Sequence, residues 1–299
     1  MTAQAFDVHQ HLWPEPLQAE LSRRRTAPRL RGSVLELPRE GSFDVDLAGH
    51  DVDRRIQDLD RDEIDVGIVS LAPTLDFELL PQGERDRLVD AYHEGMREVV
   101  RRSSGRLLAL AAGAPVDGFA GVSLAGRELA ELDRSAPLLD ELERRGEVVF
   151  VHPGPSSPPG DAPAWWSAVV DYTVEMQVAY ASWLARGAAR WPALRVVFAI
   201  LAGGAPFQRE RLGSRGVRSA APPANVFFET ASYGTHALEL SLATCGVDHL
   251  LYGSDAPVID PRPTLEAVRG LGEDVTDALL RRNAARLFGP VRAGVGERD

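Results

Sequence analysis

Residues 6–13, Phe6-Asp-Val-His-Gln-His-Leu-Trp13, place two histidines two positions apart at the end of a short apolar run. If residues 5–11 form a strand, the side-chain period of two puts His9 and His11 on the same face. Two imidazoles on one face, at the carboxyl end of a strand, form half of a site for a first-row metal ion. The alternative is a chance pair on an exposed strand, and the rest of the chain decides between the two interpretations.

Apolar runs with the length of a buried strand recur along the chain and alternate with amphipathic helical patterns. We predict strands at Phe6–His11, Val66–Ala72, Leu107–Ala112, Phe119–Leu124, Val148–His152, Val196–Leu201, Val226–Thr230 and Leu250–Gly253. We predict helices at Asp51–Arg61, Glu84–Arg102, Leu138–Arg145, Ala164–Arg186, His236–Cys245 and Pro263–Arg269. This alternation is typical of an α/β protein with a parallel sheet, and its extent fits a closed (β/α)8 TIM-type barrel with the helices outside. A doubly wound fold would need a glycine-rich turn where the first strand ends in His-Gln-His.

Two segments lie outside this alternation. Residues 14–50, which are rich in Pro, Arg and Gly, follow the first strand and are predicted to be an insertion that caps the barrel mouth. Residues 153–163 are rich in proline, which fixes φ and removes N–H donors, so we predict a loop after the fifth strand. No linker divides the chain, and we predict one barrel domain over residues 1–299.

The composition excludes several classes of function. A net charge of −11 argues against nucleic acid or an anionic membrane as a partner. The single cysteine, Cys245, excludes an internal disulfide and a cysteine-rich metal site. All 33 basic residues are arginine, which excludes a Schiff-base lysine, a P-loop lysine and a carbamylated lysine between two metal ions. Because we find no transmembrane-length apolar run and no signal-peptide pattern, we expect a cytoplasmic protein that acts on a small molecule.

Two more predicted strands end in residue types that bind metal ions. The fifth strand ends at His152, and the eighth runs into Asp255. In a (β/α)8 barrel the reactive groups lie at the carboxyl ends of the strands, so these two residues would meet His9 and His11. Three imidazoles and a carboxylate suit Zn²⁺ or a similar divalent ion that keeps an open position for water, whose proton Asp255 could take. Taken singly, His152 could be a hydrogen-bonded histidine at the barrel mouth and Asp255 a helix N-cap, but their joint occurrence favours the metal site.

These residues resemble the motifs of the amidohydrolase superfamily, in its amidohydrolase-related branch. The matching pieces follow the family's order along nearly the whole chain: Asp7-Val-His-Gln-His11, Val149-Phe-Val-His-Pro-Gly154, Pro192-Ala-Leu-Arg-Val-Val-Phe198 with Gly203-Gly-Ala-Pro206, Gly253-Ser-Asp-Ala-Pro257 and Asn283-Ala-Ala-Arg-Leu-Phe-Gly289. The resemblance implies a (β/α)8 barrel, a homodimer as in many related barrels, and the metal ligands His9, His11, His152 and Asp255. Members include hydrolases, lactonases and non-oxidative decarboxylases of acidic or aromatic substrates.

The chain departs from the family pattern at the end of the sixth strand. The family usually carries a histidine there, which orients the attacking water or polarises a substrate oxygen, and Leu201 stands in its place. Leucine has no donor, acceptor or charge, and losing an acid–base group costs about 10²–10⁴-fold in rate. Glu229, near the end of the seventh strand, and His236, in the loop after it, are candidate catalytic substitutes beside Asp255. The alternative for His236 is a surface histidine at the start of a helix.

Aromatic and basic residues near the strand ends are candidates for substrate contact. Trp13, Trp165, Trp166 and Tyr233 could line the pocket, with ordinary packing as the alternative role. Arg209, which follows the Gly-Gly turn, could meet a substrate carboxylate or could lie on a solvated helix face.

Three functions are compatible with this sequence. The first interpretation is a metal-dependent hydrolase of a small carboxylated or cyclic ester or amide, in which Zn²⁺ (or Mn²⁺, or another first-row ion) activates water and Asp255 manages the proton. The alternative is a metal-dependent non-oxidative decarboxylase that uses the same site. A further alternative, which Leu201 permits, is a catalytically weakened member that serves as a binding or biosynthetic accessory protein.

Overall fold

Buried apolar segments form a barrel of parallel strands in the computed structural model, which describes residues 3–217 and 222–291. Within those residues the strands are β1 (Phe6–His11), β2 (Arg29–Arg31), β3 (Val34–Leu37), β4 (Gly41–Asp44), β5 (Val66–Ser70), β6 (Leu107–Ala112), β7 (Gly121–Ala125), β8 (Val148–His152), β9 (Arg195–Phe198), β10 (Val226–Glu229) and β11 (Leu250–Leu251). The barrel consists of β1 and β5 to β11, in that order around the ring. The predicted TIM-type barrel is therefore confirmed.

Backbone hydrogen bonds close the ring between the last strand and the first. The Val8 N–H donates to the Tyr252 carbonyl at 3.0 Å, and the His11 N–H donates to the Ala256 carbonyl at 2.8 Å. In the opposite direction, the Asp255 N–H donates to the His9 carbonyl at 2.8 Å. These bonds extend past the short strand β11 and set Asp255 directly beside β1.

Helices cover the outside of the barrel. The α-helical segments are Glu15–Arg23, Val52–Arg61, Gln82–Arg102, Gly126–Ala130, Leu132–Arg145, Tyr172–Ser182, Ala188–Arg190, Arg209–Ser214, Thr235–Cys245, Arg262–Arg269, Glu273–Asp277 and Asn283–Phe288. Single π-helical turns at Ser167–Asp171, Trp183–Gly187 and Ala278–Arg282 join some of them into longer helices. Over the described ranges, no helix is both long enough and apolar enough to span a bilayer.

Sequence patterning located all eight barrel strands, with bounds that differ from the structure by up to three residues, and the largest difference follows β9. The predicted strand Val196–Leu201 stops at Phe198, because Ile200 and the residues after it turn sharply. Ile200, Leu201 and Ala202 have φ values of 46°, 51° and 51°, and two glycines continue the same left-handed path. Apolar residues are normally excluded from this region of φ, so their hydrophobicity was misread as a longer strand.

The insertion after β1 folds into a helix and an antiparallel sheet made of β2, β3 and β4. At the tip of its β3–β4 hairpin, the Arg39 guanidinium donates two hydrogen bonds to Asp76, at 2.7 and 2.6 Å. The adjacent Glu40 carboxylate accepts the Ser156 N–H at 2.7 Å and the Tyr172 hydroxyl at 2.5 Å. Asp76 follows β5 and Ser156 follows β8, so the hairpin lies at the carboxyl end of the barrel, where residues 14–50 were predicted to lie.

Candidate metal centre

Three histidines meet at the carboxyl end of the barrel. His9 and His11 lie at the end of β1 and His152 is the last residue of β8, and all three are buried. Their ring centroids form a nearly equilateral triangle with sides of 5.0, 5.1 and 5.0 Å. The Nε2 atoms of His9 and His11 lie only 3.2 Å apart. The two histidines that the sequence places on one face therefore do share a face, and β8 brings the third to them.

The outer ring nitrogen of each histidine faces an acceptor of the protein, although for His9 the contact lacks good hydrogen-bond geometry within the described residues. His9 Nδ1 lies 3.1 Å from Glu229 Oε1. His11 Nδ1 lies 3.2 Å from the Ser70 carbonyl, and His152 Nδ1 lies 2.8 Å from the Pro153 carbonyl. An acceptor at Nδ1 fixes the ring orientation and the tautomer, leaving the Nε2 lone pair free. This is the arrangement found around metal-bound histidines.

Asp255 completes the cluster. Its Oδ1 atom lies 3.1 Å from His11 Nε2 and 3.5 Å from His9 Nε2, yet it is buried and makes no hydrogen bond of good geometry within the described residues. One donor atom from each of the four residues lies within 4.8 Å of the other three. Donors about 2.0–2.2 Å from a common ion would be spaced in this way, so the four side chains fit a single divalent cation. Asp255 reaches this position in a left-handed conformation, with φ of 60°.

The charges in the cluster favour an added cation. Burial would lower the pKa of His9, but the Glu229 and Asp255 carboxylates outweigh burial and raise that pKa to about 9. Burial, followed by the two neighbouring imidazoles, holds the pKa of His152 well below its usual range. Burial would raise the pKa of Asp255, but His9 and His11 reverse the effect and lower it. Without a metal ion, His9 therefore carries a proton between two carboxylates, and an entering cation would take the place of that positive charge.

Glu229, predicted as a catalytic substitute, lies behind His9. Its side chain is fully buried, and its carboxylate accepts hydrogen bonds from the N–H groups of Ile200 and Ala231. A Cβ atom at Gly253 would come within 2.2 Å of Glu229 Oε2, so only glycine leaves room for this carboxylate. The geometry makes Glu229 the acceptor that orients His9; a direct catalytic role stays a prediction.

The turn after β9 contains no side chain that can replace the family histidine. Leu201 is buried, and the left-handed stretch that it occupies runs through Gly204. The turn contributes backbone groups instead: the Ile200 N–H donates to Glu229, and the Gly203 carbonyl accepts the side-chain amide of Gln177 at 2.7 Å. Whether Leu201 replaces a catalytic histidine of the family stays a prediction.

The structure leaves His236 outside the cluster. Its imidazole is fully exposed in the first turn of the helix Thr235–Cys245, and Nδ1 lies 3.5 Å from Glu239. Arg209 is also exposed, and its guanidinium donates to the Thr244 carbonyl at 2.7 Å. Each therefore has a partner at the surface, and their predicted roles at the site stay predictions.

The aromatic candidates divide into a buried residue and a more exposed pair. Trp13 is buried and stacks on His50 with 4.5 Å between ring centroids, and its indole N–H makes no hydrogen bond within the described residues. Trp165 and Trp166 stack on each other at 6.1 Å, and Trp165 is 56% exposed. Tyr233 is partly buried against the core. Among the four, Trp13 has the burial and the free donor expected of a pocket residue.

Sequence reasoning missed the polar residues that hold the insertion over the barrel. Tyr172 and Glu40 form a hydrogen-bonded pair at the mouth, and burial, reinforced by the charges of Glu40 and Asp255, raises the pKa of the Tyr172 phenol. Burial likewise raises the pKa of Glu40. No motif marks either residue, because their proximity depends on how the hairpin folds back. The only sequence signal is the position of the insertion directly after β1, which places it near the barrel mouth.

Comparison with known proteins gives a family and a fold. The sequence profile of the family described as amidohydrolase matches residues 6–289. The 2-amino-3-carboxymuconate-6-semialdehyde decarboxylase of Dictyostelium discoideum is 23% identical over an alignment of 290 positions. The alignment covers 84% of this chain and 80% of the relative.

Solved structures show the same architecture. The apo form of the Metarhizium anisopliae IDCase superposes with a TM-score of 0.76 at 19% identity, covering 95% of this chain and 97% of that one. The 5-carboxyvanillate decarboxylase of Novosphingobium aromaticivorans, solved with manganese and 4-hydroxy-3-methoxy-5-nitrobenzoic acid, gives a TM-score of 0.70 at 17% identity, with 96% of each chain covered. The profile match spans almost the whole chain, and the predicted family is confirmed: this protein belongs to the amidohydrolase family.

Proposed function

We propose that this protein is a metal-dependent, non-oxidative decarboxylase of a small unsaturated or aromatic carboxylic acid. The observation that carries the proposal is the donor set: one donor atom each from His9, His11, His152 and Asp255 lies within 4.8 Å of the other three. The relatives with named reactions are decarboxylases, which favours this alternative over the hydrolase that the sequence first suggested.

The proton that decarboxylation requires has a candidate carrier at this site. Decarboxylation breaks one C–C bond, and the electron pair left on carbon takes up one proton. Asp255 lies among the metal donors and can carry that proton, whereas the turn after β9 presents the aliphatic Leu201. Asp255 can therefore serve this protonation without a second acid–base side chain.

The metal ion, Trp13 and the β3–β4 hairpin would have different roles toward the substrate. A divalent ion held by the four donors would act as a Lewis acid toward the substrate carboxylate and an adjacent oxygen. The imidazole-rich donor set suits Zn²⁺, and the manganese in a solved relative supports Mn²⁺, so we propose one ion of either kind. The Trp13 indole N–H, which is buried and has no hydrogen-bond partner among the described residues, would donate to a substrate oxygen. The β3–β4 hairpin, held by Glu40 and Tyr172, would exclude bulk water from the carbanionic carbon.

The test is an isotope experiment on the purified chain reconstituted with Mn²⁺ or Zn²⁺. Hydroxybenzoates and conjugated dicarboxylates are incubated in D₂O, and released CO₂ and the deuterium content of the product are measured. We expect one CO₂ per turnover and one deuterium on the carbon that carried the lost carboxylate. Turnover should stop when a chelator removes the metal ion. A parallel panel of esters and lactones in ¹⁸O-labelled water tests for hydrolysis.

Two outcomes would overturn the proposal. Incorporation of ¹⁸O from water into acid products without CO₂ release would establish the hydrolase instead. Ligand binding without turnover, unaffected by the chelator, would indicate a binding or accessory protein.

A further inference from the structure

Arg55 is a buried guanidinium beside the metal centre. It lies on the helix Val52–Arg61 and is only 2% exposed, whereas its neighbour Arg54 has a side chain that is 48% exposed. Its Nη1 donates to Gln10 Oε1 at 3.0 Å and to the Ala256 carbonyl at 3.1 Å. Its Nη2 donates to the Gly49 carbonyl and lies 3.5 Å from the His11 carbonyl.

These acceptors belong to three separate parts of the chain. The His11 carbonyl belongs to a metal-site residue on β1, and Ala256 directly follows the metal-site residue Asp255. Gly49 lies at the end of the insertion. Buried charges are usually paired with an opposite charge, but within the described residues Arg55 forms no salt bridge and is satisfied by neutral oxygens. A guanidinium buried in this way is costly, which indicates that its geometry is required.

Gln10 connects Arg55 to a second layer beneath the histidines. Its side-chain amide donates to Asp7 Oδ2 at 2.6 Å. The other oxygen of Asp7 accepts the His9 N–H at 3.2 Å and the Ser254 N–H at 3.0 Å. A continuous buried network therefore runs from Arg55 to the backbone on both sides of the seam where β11 meets β1.

We infer that Arg55 is a positioning residue for the metal centre, which holds His11 and Asp255 at the separation needed to share one cation. Because the same guanidinium holds the Gly49 carbonyl, it also couples the insertion to metal binding. This inference rests on the metal site of the proposed function. It does not depend on which reaction the metal supports.

Arginine is the one side chain suited to this position. Its planar guanidinium presents five N–H donors in a fixed fork, which can reach carbonyls on three segments at once. A lysine ammonium is a compact point charge on a flexible stem and cannot span the same acceptors. Arg55→Lys therefore keeps the charge while removing the geometry.

The experiment measures Mn²⁺ affinity of the metal-free protein by calorimetry at fixed pH, with Arg54→Lys as the matched control. Arg54 is exposed and pairs with Asp46 at 3.0 Å, away from the ligands. We expect Arg55→Lys to weaken Mn²⁺ binding by about 10–100-fold, as removal of a group that orients metal ligands typically does. Arg54→Lys should bind like the wild type. Equal affinity of Arg55→Lys and wild type would overturn the inference.

Two further measurements separate positioning from a general loss of stability. Visible absorption of the Co²⁺-loaded protein reports ligand geometry, and we expect it to change in Arg55→Lys; an unchanged spectrum with a lower melting temperature would show a merely structural role. Gln10→Met, which leaves Arg55 in place but removes its link to Asp7, should weaken Mn²⁺ binding by about threefold to tenfold, less than Arg55→Lys. Wild-type affinity in Gln10→Met would contradict the network.

Hydrogen exchange on the wild-type protein tests the coupling without any variant. Adding Mn²⁺ should slow amide exchange in residues 44–50, because the ion stabilises the segment that Arg55 holds. Unchanged exchange there would remove the coupling from the inference. Failure of the wild type to bind Mn²⁺ or Zn²⁺ at all would overturn the metal site itself, which distinguishes that failure from a failure of Arg55.

Discussion

Two regions at the same end of the barrel carry opposite kinds of residue. The metal rim, formed by His9, His11, His152 and Asp255, gathers three imidazoles and a carboxylate whose donor atoms lie within 4.8 Å of one another. The strand-six turn, Ile200–Gly204, follows β9, which is the sixth strand of the barrel. It presents aliphatic side chains on a left-handed backbone. The family's metal-binding half is thus retained here, while the half that usually supplies an acid–base histidine is not. This contrast underlies the proposal of a reaction that relies on the ion and on Asp255.

Glu229 is where the two regions touch. It accepts the Ile200 N–H from the strand-six turn and faces His9 Nδ1 on the metal rim at 3.1 Å. The turn therefore still serves the metal centre, through its backbone rather than through a side chain.

The largest effect should follow loss of the carboxylate on the metal rim. Asp255→Asn keeps the shape but removes the charge, so Mn²⁺ affinity should fall by at least about 100-fold, and turnover by about 10³-fold even with excess metal. The matched control is Asp260→Asn in the same loop, since Asp260 is solvent-accessible and pairs with Arg262 at 2.6 Å. Calorimetry and initial rates measure both quantities. Equal loss in the two variants would contradict a special role for Asp255.

Acid should destabilise the fold through His50, which packs under Trp13 beside the metal rim. Burial, then the charge of Arg55, lowers the pKa of His50 to about 3 from 6.5. Between these values the unfolded chain binds more protons than the folded one, so the free energy of unfolding falls as the pH falls. From pH 6.5 to 4.5 His50 should account for about 2 kcal/mol of that loss.

Urea unfolding of the metal-free protein at the two pH values measures the effect. In the wild type, His50 Nδ1 accepts a hydrogen bond from the backbone N–H of Trp13 at 3.1 Å. His50→Gln keeps an acceptor for this backbone N–H. Between these two pH values the stability of this variant should change by about 2 kcal/mol less than that of the wild type, with the remaining dependence coming from other buried histidines. An identical pH dependence in wild type and variant would show that His50 takes up a proton within the fold.

An intermediate effect is expected where the two regions meet. Glu229→Gln keeps the hydrogen-bonding shape and removes the negative charge beside His9, so Mn²⁺ affinity should fall by about 10–100-fold while Asp255 remains in place. Glu239→Gln, a surface substitution on the helix Thr235–Cys245, is the control. Should Glu229→Gln keep full affinity but lose turnover, Glu229 would be catalytic, as the sequence first suggested.

The smallest effect concerns the strand-six turn itself. Ala202 has φ of 51°, a left-handed conformation that costs an L-residue about 1–2 kcal/mol and glycine almost nothing. Ala202→Gly should therefore raise the free energy of unfolding by about 1 kcal/mol, measured in urea. Ala199→Gly is the control, because Ala199 is equally buried but has φ of −63° and should lose stability by a similar amount. Destabilisation by both variants would argue against the left-handed turn.

The sequence predicts the barrel and the metal rim because both follow from local patterns. Buried strands are short apolar runs, and ligands such as His152 stand at their ends, where the topology of a (β/α)8 barrel brings them together. The turn at Leu201 was recognised as a loss but not as a left-handed turn, because backbone conformation there depends on contacts with Gln177 and Glu229.

Other features lie beyond local patterns. Arg55 looks like any charged residue of an amphipathic helix, and only the folded seam between β11 and β1 shows that it is buried. The pairing of Glu40 with Tyr172 joins residues 132 positions apart across an insertion whose sheet has weak sequence signals. The sequence does not show which of the aromatic candidates lines the pocket. Their burial in the structure distinguishes the buried Trp13 from the exposed Trp165.

Anomalous diffraction from crystals grown with Mn²⁺ would locate the ion itself. We expect one strong anomalous peak bounded by His9 Nε2, His11 Nε2, His152 and Asp255 Oδ1, about 2.0–2.3 Å from each donor. A map without a peak there, with the imidazoles hydrogen-bonded to one another and to Asp255, would contradict this expectation.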